Sequence, residues 1–221
     1  MIDGIRLKIC GLTTLVDAEC ADRAGADALG FILYPRSPRH LSLLQYLSMS
    51  ARLPEGRKRV AVMVEPSSAE LEAAWDAVFD RFQIHFAPAM LAVAAVAAWS
   101  HTVGADRLWL APNLHPGADT PTELPSFAGP FLIDTFKAEG FGGTGRTGDW
   151  EGFARQQAAH PDKTWVLAGG LDPDNIGAAL AVSGAKFVDV NSGVETAPGV
   201  KDHEKIKRLV AALRRARTEK P

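Results

Sequence analysis

The chain has little of what many functional classes require. Its 221 residues contain two cysteines, Cys10 and Cys20, and no paired metal-ligand spacing, which argues against a disulfide scaffold or a structural zinc site. A reducing cytoplasm is the expected setting. No apolar run approaches the roughly 20 residues needed to span a bilayer, and Met1 Ile2 Asp3 Gly4 lacks the basic head of an export signal. Neither a membrane nor export is expected. The net charge of −2 supplies no broad field for nucleic acid, so a small molecule is the default partner. The cations of 205–220 complement the C-terminal dipole of a final helix.

What the chain does have is regular alternation. Short β-branched runs at 5–10, 28–33, 59–64, 82–85, 107–111, 131–134, 164–168 and 187–190 predict eight strands. Between them, apolar residues at three and four spacings predict helices, for example over 69–79, 90–99, 175–183 and 205–216. Ser67 or Ser68, and Asp172 before Pro173, read as helix-start signals. Eight repeats, with 47% hydrophobic residues, predict an α/β fold: a single-domain (β/α)8 TIM barrel over 1–221. One unit departs from the pattern. Five prolines between 112 and 130 predict a loop or single turn in place of the helix after the fifth strand.

In such a barrel, ligands meet the carboxyl ends of the strands. Cys10 ends the first strand and Asp134 the sixth, so a thiol and a carboxylate are candidates for a base and an acid. The plain alternatives are a small buried hydrophobe and a helix cap. The glycine-rich run 140–147 follows Asp134 and reads as a mobile cover that excludes water. Cys20, amid alanines in a helix, reads as packing. Gly169 and Gly170 after the seventh strand, and Asn191, Ser192 and Gly193 after the eighth, sit where barrels of this kind build a phosphate site. Arg39, in a proline-rich turn, is suited to a carboxylate or to solvent. His85 ends the fourth strand, facing the mouth or packing.

Together these residues closely resemble the phosphoribosylanthranilate isomerase family. The resemblance covers nearly the whole chain. It rests on Lys8 Ile9 Cys10 Gly11 Leu12 Thr13, Gly25 to Phe31, Tyr34 Pro35 Arg36 Ser37 Pro38 Arg39, Asp134 Thr135, Gly142 to Trp150, Ala168 to Asn175 and Val188 to Glu195. It implies an Amadori rearrangement of the aminoaldose N-(5'-phosphoribosyl)anthranilate to an aminoketose, needing one acid, one base and no metal or redox cofactor. By resemblance Asp134 is the acid, Cys10 the base, and Arg39 the carboxylate ligand. Gly169, Gly170, Asn191, Ser192 and Gly193 would hold phosphate, with His85 and Asp189 lining the pocket. A cytoplasmic monomer is expected.

Three positions depart from the family pattern. Phe86 stands where glycine is usual, which predicts a different course for the fourth loop. Trp109 stands in a strand that lacks its usual lysine, and is expected to reshape a pocket wall. Asn191 replaces the commoner serine. Two rivals remain. One is a related barrel acting on the histidine-pathway aminoaldose, or on both substrates, though relatives of that kind carry a carboxylate where this chain has Cys10. The other is a non-catalytic phosphate-binding barrel with Cys10 as a thiol sensor.

Overall fold

A computed structural model describes residues 1–115, 117–134 and 148–218. Eight parallel strands close into a barrel in sequence order: β1 (Arg6–Ile9), β2 (Ala28–Ile32), β3 (Lys58–Val64), β4 (Arg81–Phe86), β5 (Leu108–Pro112), β6 (Pro130–Ile133), β7 (Thr164–Leu167) and β8 (Phe187–Val190). β8 returns to β1 with Arg6 opposite Phe187 and Lys8 opposite Asp189. All eight predicted strands are present, with no end shifted by more than one residue, within the usual fraying of strand boundaries.

The period of two in each strand decides the layers. Leu7 and Ile9 on β1, Phe82, Ile84 and Phe86 on β4, and Val188 and Val190 on β8 face outward into the main core beneath the helices. Each such side chain, fully buried, contributes about 1.5–3 kcal/mol. Their neighbours in sequence face the barrel interior, where Val60, Val62, Leu132 and Val166 form a second, smaller apolar cluster with Cys10 at its edge.

The outer layer holds α1 (Leu15–Arg23), α2 (Leu43–Ser50), α3 (Ser68–Asp76), α4 (Val93–Val103), α5 (Trp150–Ala159), α6 (Ile176–Ser183) and α7 (His203–Thr218). Ser67 does cap α3: it and Glu70 form a reciprocal capping box, satisfying two N–H groups that the first turn leaves open. After β5 the described residues of the proline-rich stretch form no helix beyond a 3₁₀ turn, Leu124–Ser126, as its composition predicts. Cys20 is buried on α1 in the main core. Beyond β8 a small antiparallel pair, β9 (Glu195–Ala197) and β10 (Val200–Lys201), folds back toward the mouth.

Candidate active site

A pocket opens at the carboxyl ends of the strands. Cys10 from the end of β1, His85 from β4 and Asp134 just after β6 line it, with Asp189 from β8. Gly169, Gly170, Asn191 and Ser192 form the wall built by the loops after β7 and β8. Eight of the ten expected site residues thus meet at one mouth. The run 140–147 lies outside the described residues.

The phosphate-type wall is fixed from behind. Asp172 Oδ1 accepts from the backbone N–H groups of Asp174 and Asn175, and Asn175 Nδ2 donates to the Gly170 carbonyl at 2.7 Å. Asp172 therefore shapes the turn ahead of α6. Gly169 and Gly170 have φ of +91° and +61°, left-handed values that glycine adopts without strain. Gly193 does not line the pocket. Any Cβ there would collide with the Leu171 carbonyl oxygen, so glycine lets the two loops touch.

Arg39 is not among the residues that line the pocket. Its Nε and Nη2 donate to both carboxylate oxygens of Glu195 over 2.8–3.0 Å, leaving Nη1 outside the fork. Lys201 donates to the same carboxylate at 2.8 Å and to Asn191 Oδ1 at 2.9 Å. Burial would raise the Glu195 carboxyl, but hydrogen bonds from Arg39 and the charge of Lys201 hold it below its ordinary value. The Lys201 ammonium is pushed down by burial, against the pull of Glu195.

Two polar side chains at this site have no role in the sequence reading: Gln83, which lines the pocket, and Lys8, which lies just behind its lining. Lys8 is fully buried, and its Nζ donates to Asp189 Oδ2 at 2.8 Å. Burial alone would lower its pKa; Asp189 and then Cys10 more than offset that, so the ammonium is held above its ordinary value. Burial pushes the Cys10 thiol up, with Lys8 drawing it back and Asp189 adding to the rise. Gln83, also buried, pairs with His85 Nε2 at 2.8 Å. Burial, and then the Lys8 charge, bring His85 down to about 3, so its ring is neutral near pH 7. The available signal was strict alternation: Lys8 precedes Cys10 by two, and Gln83 precedes His85 by two.

One expectation is corrected. Trp109 reshapes no wall of this pocket; it faces the opposite end of the barrel, edge-on to Phe187 at 5.4 Å, beside Arg6 and Thr164. Phe86 extends β4 and points outward against Trp99 at 5.8 Å, because it alternates with the inward His85. Among the described residues, no three His, Cys, Asp or Glu side chains converge as metal ligands, and no helix is long and apolar enough to cross a membrane.

Fold and pocket define the class: a (β/α)8 barrel with titratable side chains at its C-terminal mouth, opposite two glycine-bearing loops. The chain belongs to the N-(5'-phosphoribosyl)anthranilate (PRA) isomerase family, whose sequence model matches residues 7–212. It is 40% identical to the N-(5'-phosphoribosyl)anthranilate isomerase of Magnetococcus marinus, over 96% of each chain. Among solved structures it resembles TrpF from Jonesia denitrificans, with 32% identity, a TM-score of 0.78, and 98% and 100% of the two chains covered. It also resembles a phosphoribosyl anthranilate isomerase in complex with reduced 1-(o-carboxyphenylamino)-1-deoxyribulose 5-phosphate, with 29% identity, a TM-score of 0.70, and 94% and 97% covered.

Proposed function

We propose that residues 1–221 act as one domain, a cytoplasmic monomer, that converts N-(5'-phosphoribosyl)anthranilate to 1-(2-carboxyphenylamino)-1-deoxyribulose 5-phosphate in tryptophan biosynthesis. Asp134 is the acid and Cys10 the base. The observation that carries this reading is the meeting of Cys10 and Asp134 in one pocket, with Gly169, Gly170, Asn191 and Ser192 on its wall. All these residues come from one chain, so a lone copy holds the site.

Asp134 protonates the furanose ring oxygen, and the ring opens to an iminium. Cys10, as thiolate, removes the proton from the neighbouring carbon, and the resulting enolamine becomes the ketone. Each proton transfer contributes typically 10²–10⁴-fold. Backbone N–H groups at Gly169 and Gly170, with Asn191 and Ser192, hold the phosphate, and Gly193 allows their loops to close together. Arg39 meets the anthranilate carboxylate with the Nη1 edge outside its fork. Neutral His85 lends a hydrogen-bonding ring to the wall without adding charge.

The test is to assay the purified protein with phosphoribosylanthranilate, following loss of its fluorescence, and separately with the histidine-pathway aminoaldose. Turnover of the first is expected. Turnover of the second alone would overturn the proposal.

A further inference from the structure

Lys8 is a costly residue to keep where it is. A buried ammonium loses several kcal/mol of solvation, and well-packed apolar side chains of similar volume commonly replace buried ion pairs without loss of stability. Its position relative to Cys10 gives it something to do. Lys8 on β1 and Cys10 just past its end, two residues apart, both face the barrel interior. On the adjoining strand stands Gly30, and a Cβ there would lie 2.9 Å from both Cys10 Sγ and Lys8 Cε. The missing side chain at Gly30 is thus the space in which the lysine stem and the thiol come together. Lys8 Nζ hydrogen-bonds to Asp189, and its charge, close to the thiol, draws the Cys10 thiol down against the rise that burial imposes.

We propose that Lys8, folded into the gap at Gly30 and anchored by Asp189, is a positioning residue that supplies the countercharge for the Cys10 thiolate. The proposal rests on Cys10 being the base. When the substrate C–H bond breaks and the S–H bond forms, the electron pair moves into the iminium and neutralises its nitrogen. The thiolate charge disappears in the same step. Lys8 stays protonated throughout, paired with Asp189, so it favours the reactive form of the thiol without itself donating or accepting the proton.

The other groups facing this site do not take over that task. On β4, His85 is neutral near pH 7. Lys201, from β10, also favours the thiolate but less than Lys8 does, and it is tied to Glu195, which also takes the Arg39 fork. Asp134, after β6, lines the same pocket and is assigned to the other end of the reaction. Asp189 opposes thiolate formation, and Lys8 favours it.

This arrangement predicts effects of opposite sign from the two halves of one ion pair. In a Cys20→Ser background, so that Cys10 is the sole thiol, thiolate absorbance near 240 nm and kcat/KM are followed against pH. Lys8→Met should move thiolate formation and the acidic limb of kcat/KM to higher pH, with activity at pH 7 falling about tenfold or more. Asp189→Asn should move thiolate formation to lower pH. Lys8→Arg should restore most of the wild-type profile. If Lys8→Met does not fold, the Lys8→Met, Asp189→Asn double variant leaves no lone buried charge and should keep part of the upward shift.

Folded Lys8 and Asp189 variants that shift the thiol in the same direction, or not at all, would overturn the inference, because a purely structural pair predicts lost stability alone. The reading of Cys10 as base fails separately, if Cys10→Ser keeps its activity.

Discussion

Arg39 and Glu195 form a two-pronged ion pair across the rear of the pocket, with Nη2 to Oε2 at 2.8 Å and Nε shared between both oxygens. Lys201 holds the same carboxylate at 2.8 Å, so one buried acid serves two cations. Glu195→Ala leaves Lys201 buried and uncompensated, which should destabilise the fold by about 3–5 kcal/mol, read from urea denaturation. It also frees Arg39 from its fixed orientation. In the surviving folded protein KM for phosphoribosylanthranilate should rise more than kcat falls; an unchanged KM would separate Arg39 from substrate binding.

Cys10→Ser and Asp134→Asn keep size and polarity close to native while removing the thiolate and the ionisable carboxyl. Each should lower kcat about 10²–10⁴-fold, the usual weight of a general acid or base. Circular dichroism and denaturation midpoints should stay near wild type. Two folded variants with near-native turnover would remove both assignments.

Trp109 gives a test of position. It is 4% exposed, and its indole N–H has no hydrogen-bond partner among the described residues. Trp109→Ala should cost about 3–5 kcal/mol by emptying the base of the barrel. At temperatures where the variant is folded, kcat/KM should match the parent. A large loss of activity in fully folded protein would return Trp109 to the active end.

Gly193 is constrained by the Leu171 carbonyl and the Asp172 Cβ. Gly193→Ala must push the β8 loop away from the β7 loop, at a cost of about 1–3 kcal/mol for overpacking. Because these loops carry the proposed phosphate ligands, KM should rise, and affinity for inorganic phosphate as a competitive inhibitor should fall in parallel. Intact phosphate inhibition would place the anion elsewhere.

Much of this fold and site is legible in the sequence. Alternation located the eight strands, and the prolines of 112–130 correctly denied a helix after β5. Cys10, His85 and Asp134 were found because strand ends in a parallel barrel converge. Alternation puts Lys8 on the face of Cys10 and Gln83 on the face of His85, but a lysine or glutamine within an apolar strand looks solvated until closure of the barrel buries it. The Arg39 and Glu195 fork joins positions 156 residues apart, a distance at which no residue spacing is informative. Trp109 was assigned to the wrong end because sequence fixes which face of a strand a side chain takes, while its height along the barrel depends on the strand's extent and stagger.

His85 connects the site to acid stability. Its ring is held down to about 3 by burial and then by the Lys8 charge, against an ordinary value of 6.5. As pH falls from 6.5 the unfolded chain therefore takes up a proton that the folded protein refuses, and stability declines with it until the folded value is reached. Glu195, whose carboxyl is depressed, loses its contribution only below the ordinary carboxylate value of 4.5. Between pH 6.5 and 5 the His85 effect stands apart from it, and should remove about 1–2 kcal/mol of unfolding free energy. His85→Gln keeps a polar side chain but has nothing to titrate, so its stability should be flatter across that interval. Guanidinium midpoints at half-unit steps would show the difference; parallel slopes in parent and variant would mean that the folded protein accepts the proton on His85 as readily as the unfolded chain does.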